Sequence, residues 1–229
     1  MIFEVILVLI IFFLTIFAVA NKRSVFIDNI VGNLSVSPPS QDETLDNLLE
    51  IAGRYYAEKN YLSAEKAYLK VLRVDHKNSL AYSRLGFIYS HLGNNEDAIE
   101  CFKIVADTYP NAASYHNLSM MYFKTRKYEK SADALEKSLS MEMHINRLIN
   151  LARIYRILNK FDKQLSTLKK AIELDPKNIE IMQLLAESYL HEDDEKSANE
   201  MFAEILKLEP HNPRARAALT PKGQLKKVN

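Results

Sequence analysis

The readiest chemistry in this 229-residue sequence belongs to six histidines (His76, His91, His116, His144, His191 and His211), one cysteine (Cys101) and an acidic run, Glu192-Asp193-Asp194-Glu195. Catalysis needs such groups to converge, as a nucleophile beside a base or as metal ligands at helical spacing. The histidines are scattered, and no H-E-x-x-H or paired Cys and His motif joins them. A single cysteine leaves no disulfide framework, zinc ribbon or iron-sulfur site. A calcium loop spreads its ligands over about twelve residues around a central glycine, so the compact acidic run reads as a solvated turn. With five glycines there is no glycine-rich phosphate loop. These residues point to a protein without catalytic residues, metal or cofactor. The 30 basic and 29 acidic side chains also argue against a nucleic-acid partner, which normally requires a strongly basic surface.

The elements that position the remaining side chains follow a period. Tyrosines fall at Tyr55, Tyr89, Tyr122, Tyr155 and Tyr189, with spacings of 34, 33, 33 and 34 residues. Four residues before each stands an aliphatic, Ile51, Leu85, Leu118, Leu151 or Leu185, followed by a small residue, Ala52, Gly86, Ser119, Ala152 or Ala186. Nine residues after each come Ala64, Ala98, Ser131, Gln164 and Ala198, and four further on Tyr68, Phe102, Leu135, Leu168 and Phe202. The units close at His76, Pro110, Met143, Pro176 and Pro210. Small residues let two antiparallel helices approach, the larger apolar ones fill the seam, and proline stops the second helix. Each unit is thus a helical hairpin that must stack on its neighbours to bury its apolar side.

This pattern resembles the tetratricopeptide repeat (TPR) family, and Leu85-Gly86-Phe87-Ile88-Tyr89 with Ala98, Phe102 and Pro110 is the closest copy. No copy has the family's tryptophan, Gln164 replaces a small residue, and His76 and Met143 replace the closing proline. The resemblance implies an all-α, right-handed superhelical solenoid of five hairpins over 41–211, starting near 45, 79, 112, 145 and 179. A capping helix over 212–220 and a basic tail over 221–229 follow, in a segment where Arg214, Arg216, Lys222, Lys226 and Lys227 stand without any acid.

The resemblance also implies a binding groove lined by the first helix of each repeat. Carried over by phase, Phe87, Met120, Phe123 and Ile149 form its apolar floor, with Tyr56 at one end. Arg153 and Arg156 lie one helical turn apart, and Asn117 and Asn150 are placed to bond a peptide backbone. The expected partner is a protein or peptide, as an amphipathic helix or extended segment with one anionic group near the two arginines. The clamp by which TPR co-chaperones grip a carboxyl terminus uses Lys and Asn. Leu49, Gly53, Ser83, Phe87, His116 and Met120 occupy those places here, so that clamp is absent.

Residues 1–20, MIFEVILVLIIFFLTIFAVA, carry one charge, Glu4, and a twenty-residue helix spans roughly the 30 Å of a bilayer core. Lys22 and Arg23 follow directly, so the positive-inside bias predicts a single-pass anchor with its amino terminus outside and the repeats in the cytoplasm. The alternative is an exported chain cleaved after Ala18-Val19-Ala20, although the acidic start departs from a secretory signal. Residues 21–40, with Gly32, Pro38 and Pro39, read as a juxtamembrane linker. The layout is similar to that of the membrane-tethered lipopolysaccharide assembly protein B family, whose rubredoxin-like metal end needs four cysteines that this sequence does not have.

Overall fold

A computed structural model describes residues 44–220, which form eleven helices and no strand. The expected anchor at 1–20, the linker at 21–40 and the basic tail at 221–229 lie outside the described residues. Among the described residues no helix is long and apolar enough to cross a membrane.

The chain divides into two compact units, one ending at Pro110 and one beginning at Asn111. In the first, α1 (Leu45–Ala57) pairs with α2 (Tyr61–Val74), α3 (Ser79–Leu92) pairs with α4 (Asn95–Thr108), and α2 packs on α3. In the second, the hairpins are α5 (Ala112–Lys124) with α6 (Tyr128–Met141), α7 (Ile145–Ile157) with α8 (Phe161–Leu174), and α9 (Ile179–His191) with α10 (Glu195–Leu208). There α6 packs on α7, α8 on α9, and α10 on the short α11 (Pro213–Leu219).

Local chemistry starts and stops these helices. The side-chain oxygens of Asn78, Asn178 and Asn212 accept from the backbone N–H groups of Ala81, Ile181 and Ala215, at 2.9, 3.2 and 3.1 Å. Each thereby caps a helix whose first N–H groups have no partner within it. Asn78 and Asn178 also donate to Asp75 and Asp175, at 3.1 and 3.0 Å, which holds the turn from one hairpin to the next. Within each hairpin the chain reverses through a left-handed residue four positions after the phased tyrosine: Lys59, Gly93, Arg126, Asn159 and Asp193, with φ between 56° and 84°. In the acidic run, Asp193 makes that turn and Asp194 caps α10, accepting from Ser197 at 3.0 Å.

The small residues meet their partners across the seams. A Cβ on Gly86 would lie 2.8 Å from the Phe102 ring, so glycine is what lets this ring fill the seam of the second hairpin. In the third hairpin the seam residues are the buried Ser119 and Ser131, and each hydroxyl donates to the other's backbone carbonyl at 2.9 Å. The fifth hairpin carries Ala186 and Ala198 there, both fully buried. Replacing Ser119 and Ser131 together by alanine removes donors and leaves both carbonyls in their helical bonds. Urea unfolding of that double variant is therefore expected to stay within about 1 kcal/mol of the parent. Ala215 of α11 closes the last core cluster against Met182, Ala186, Phe202 and Ile205.

Candidate functional site

In the second unit α5 and α7 expose apolar side chains where a packed core would bury them. Met120 is 49% exposed and Phe123 40%, and together with Leu135, Ser119 and Ile154 they line a hollow of about 150 Å³. Leu135 and Ile154 are buried and form its floor. Asn150 and Arg153 complete the lining, so a mostly apolar cavity carries an amide and a guanidinium at its edge. Phe123 is held edge-on by Tyr128 across the hairpin turn, ring centroids 5.6 Å apart.

Four of the residues predicted from phase, Met120, Phe123, Asn150 and Arg153, therefore meet at one place. Ile149 does not. It is 4% exposed and belongs to the core cluster with Leu135, Leu139 and Leu168, which corrects its assignment to the groove floor. Helical periodicity puts Ile149 on the same side of α7 as Arg153, but near the start of that helix the core cluster with side chains of α6, α8 and α9 encloses it. Asn117 is half-buried on α5 and does not line the hollow. Tyr56 and Phe87 belong to the first unit. Tyr56 carries the Arg84 guanidinium 4.7 Å above its ring, and Phe87, 37% exposed, packs edge-on against Phe102 at 5.0 Å.

The arginines are engaged. Arg153 bonds Glu180 at the start of α9, and Arg156 Nη1 lies 2.7 Å from Glu187 Oε2. Arg214 of α11 bonds the other oxygen of Glu187. Arg156, Glu187 and Arg214 also line a second hollow of about 250 Å³, with Phe161, Gln164, Ser188, Leu190 and His191. Sequence reasoning missed Glu187 and Leu190, although the phase contains both. Glu187 stands two residues before its tyrosine, as Phe87, Met120 and Arg153 do, and Leu190 one after, as Tyr56, Phe123 and Arg156 do. Arg214 lies outside the period, and no phase signal leads to it.

Four of the groups with catalytic potential, Cys101, His91, His116 and His191, are engaged in packing, whereas His76, His144 and His211 are exposed. Cys101 is fully buried, and burial pushes its thiol well above the ordinary range, away from the reactive thiolate. His191 stacks on Phe161 at 3.7 Å and His91 on Tyr61 at 4.9 Å. Burial, then the nearby Arg147 and His144, lowers the His116 imidazole, so it is neutral at neutral pH.

Three models described as tetratricopeptide repeat match the chain, at residues 67–100, 111–141 and 158–220, together more than half of it. Over 103 residues the chain is 32% identical to the anaphase-promoting complex subunit CDC16 of Saccharomyces cerevisiae, a match covering 42% of this chain and 12% of that protein. Among solved structures it is similar to MamA, with a TM-score of 0.65 at 23% identity over 77% of this chain and 98% of MamA. It is also similar to YrrB, a TPR protein with an unusual peptide-binding site, with a TM-score of 0.65 at 17% identity over 84% of this chain and 96% of YrrB. At these identities the structural likeness concerns the fold.

Proposed function

Because the chain belongs to the tetratricopeptide repeat family, whose fold is typical of non-catalytic interaction scaffolds, we propose that it is a membrane-tethered adaptor or assembly factor holding a protein or peptide segment on the inner face of its repeats. Residues 1–20 serve as the anchor, and the repeats face the cytoplasm. The observation that carries the binding reading is the uncovered pair Met120 and Phe123 over the 150 Å³ hollow, with Asn150 and Arg153 beside it. Exposed apolar side chains clustered in a concave, polar-edged site are the usual form of a surface that a partner covers. Arg153 already bonds Glu180, so a partner's anionic group there competes with an exposed pair, worth little in itself.

The test uses the full chain, tagged at its carboxyl terminus and carrying a photo-crosslinking residue at position 120. The expected result is an intact, membrane-bound chain, protected from protease in intact cells, that cross-links to a discrete protein. A soluble product beginning at Asn21 and accessible from outside would replace the tether with the exported reading. Intact chain without any cross-linked product would refute the binding site at Met120.

A further inference from the structure

We propose that Arg156 and Arg214 form a receptor for a carboxylate of the bound segment, in register with an apolar anchor in the Met120 and Phe123 hollow. This rests on the binding reading above.

Among the described residues Glu187 is the only acid lining the second hollow, and it meets two guanidinium groups, one on each of its oxygens. Two cations against one anion leave the cluster one positive charge in excess. Glu187 is mostly enclosed, with 20% of its side chain exposed, whereas Arg156 and Arg214 are 57% and 55% exposed. The carboxylate thus holds two guanidinium groups from α7 and α11 beside a cavity large enough for an entering side chain or chain end. Each guanidinium has five N–H donors, and bonding to Glu187 uses only part of them. A planar carboxylate fits the remaining fork geometry. Around it, Gln164 is 3% exposed and brings an amide to a seam position that is small in the other repeats, while the exposed Leu190 offers apolar contact.

Both hollows border α7. Arg153 lines the apolar one and Arg156 the cationic one, three residues on and about 4.5 Å along the helix axis. A segment that places its apolar side chain in the first hollow and continues along α7 brings its carboxylate to the second. The carboxylate comes from an aspartate or glutamate side chain or from the segment's own carboxyl terminus.

The probe is a positional-scanning library of soluble dodecapeptides, with free and amidated carboxyl termini, bound to the full chain in detergent. The expected selection is an aliphatic or aromatic residue followed or preceded at one fixed spacing by Asp or Glu. Loss of that preference on amidation, with terminal carboxylates selected instead, assigns the receptor to chain ends. Arg156→Ala with Arg214→Ala should weaken carboxylate-bearing peptides about tenfold or more and leave apolar-only peptides unchanged. Should removal of Arg214 loosen α11, read as a lower melting temperature, the exposed Arg156→Ala alone provides the same comparison. Apolar selection without any carboxylate preference, or a preference surviving removal of both arginines, overturns this proposal and leaves the binding reading standing. A library in which no peptide binds overturns both.

Discussion

Leucine at position 86 is expected to destabilise the first unit by about 1 to 3 kcal/mol or more, the range for overpacking a well-filled seam. The first added carbon alone would stand 2.8 to 3.0 Å from three atoms of the Phe102 ring, and the ring is 1% exposed and packed edge-on against Phe87. Alanine makes the sharper comparison, because two effects oppose each other there. Removing glycine from the interior of α3 gains about 1 kcal/mol of helix propensity. The Cβ clash with the buried ring works against it and increases with every further carbon. Stability should therefore fall in the order glycine, alanine, leucine, although propensity alone predicts a rise at alanine. A Phe102→Leu background opens space at the contact and should recover part of the loss, a coupling of about 0.5 to 3 kcal/mol between touching residues. Urea unfolding of the four variants decides it. Equal stability of the parent and Gly86→Leu would show that α3 and α4 do not meet at this glycine.

Converting Met120 and Phe123 together to aspartate should eliminate partner capture while hardly changing the fold. Met120 is 49% and Phe123 40% exposed, so their replacement costs the edge-on contact with Tyr128 and some helix propensity but leaves the buried seam in place, and stability should fall by about 1 to 2 kcal/mol. On the binding side, central apolar anchors commonly contribute 2 kcal/mol or more each, and two carboxylates in an apolar hollow add desolvation and repulsion toward an anionic segment. Together these exceed a hundredfold in affinity, about 2.7 kcal/mol. The readouts are cross-linking yield from a neighbouring position such as Asn117 and helicity by circular dichroism. Unchanged capture with unchanged helicity would move the site elsewhere.

Much of the fold was legible in the sequence because it is written locally and then repeated. Tyrosine, aliphatic and small residues at constant phase specify hairpins that must stack, and caps such as Asn78 and Asn178 act within three residues of themselves. The left-handed turn was less visible, since among its five positions only Gly93 lacks the Cβ that opposes positive φ, and only Asn159 and Asp193 of the others are types that adopt it readily. The others, Lys59, Arg126, Asn159 and Asp193, are held there by the helices on either side.

The candidate site divides along the same line. The sequence by itself determined the helical-repeat architecture and the phase at which Met120, Phe123, Asn150 and Arg153 recur, because a helix converts spacing into direction. Only the tertiary structure decided that packing buries Ile149 and that Arg153 and Arg156 meet Glu180 and Glu187, 27 and 31 residues away. It alone brings Arg214 from the capping helix to the same carboxylate as Arg156. Helical phase tells which way a side chain leaves its own axis. Whether it then meets core, counter-ion or open space depends on the neighbouring helix, and that is set by how the hairpins stack.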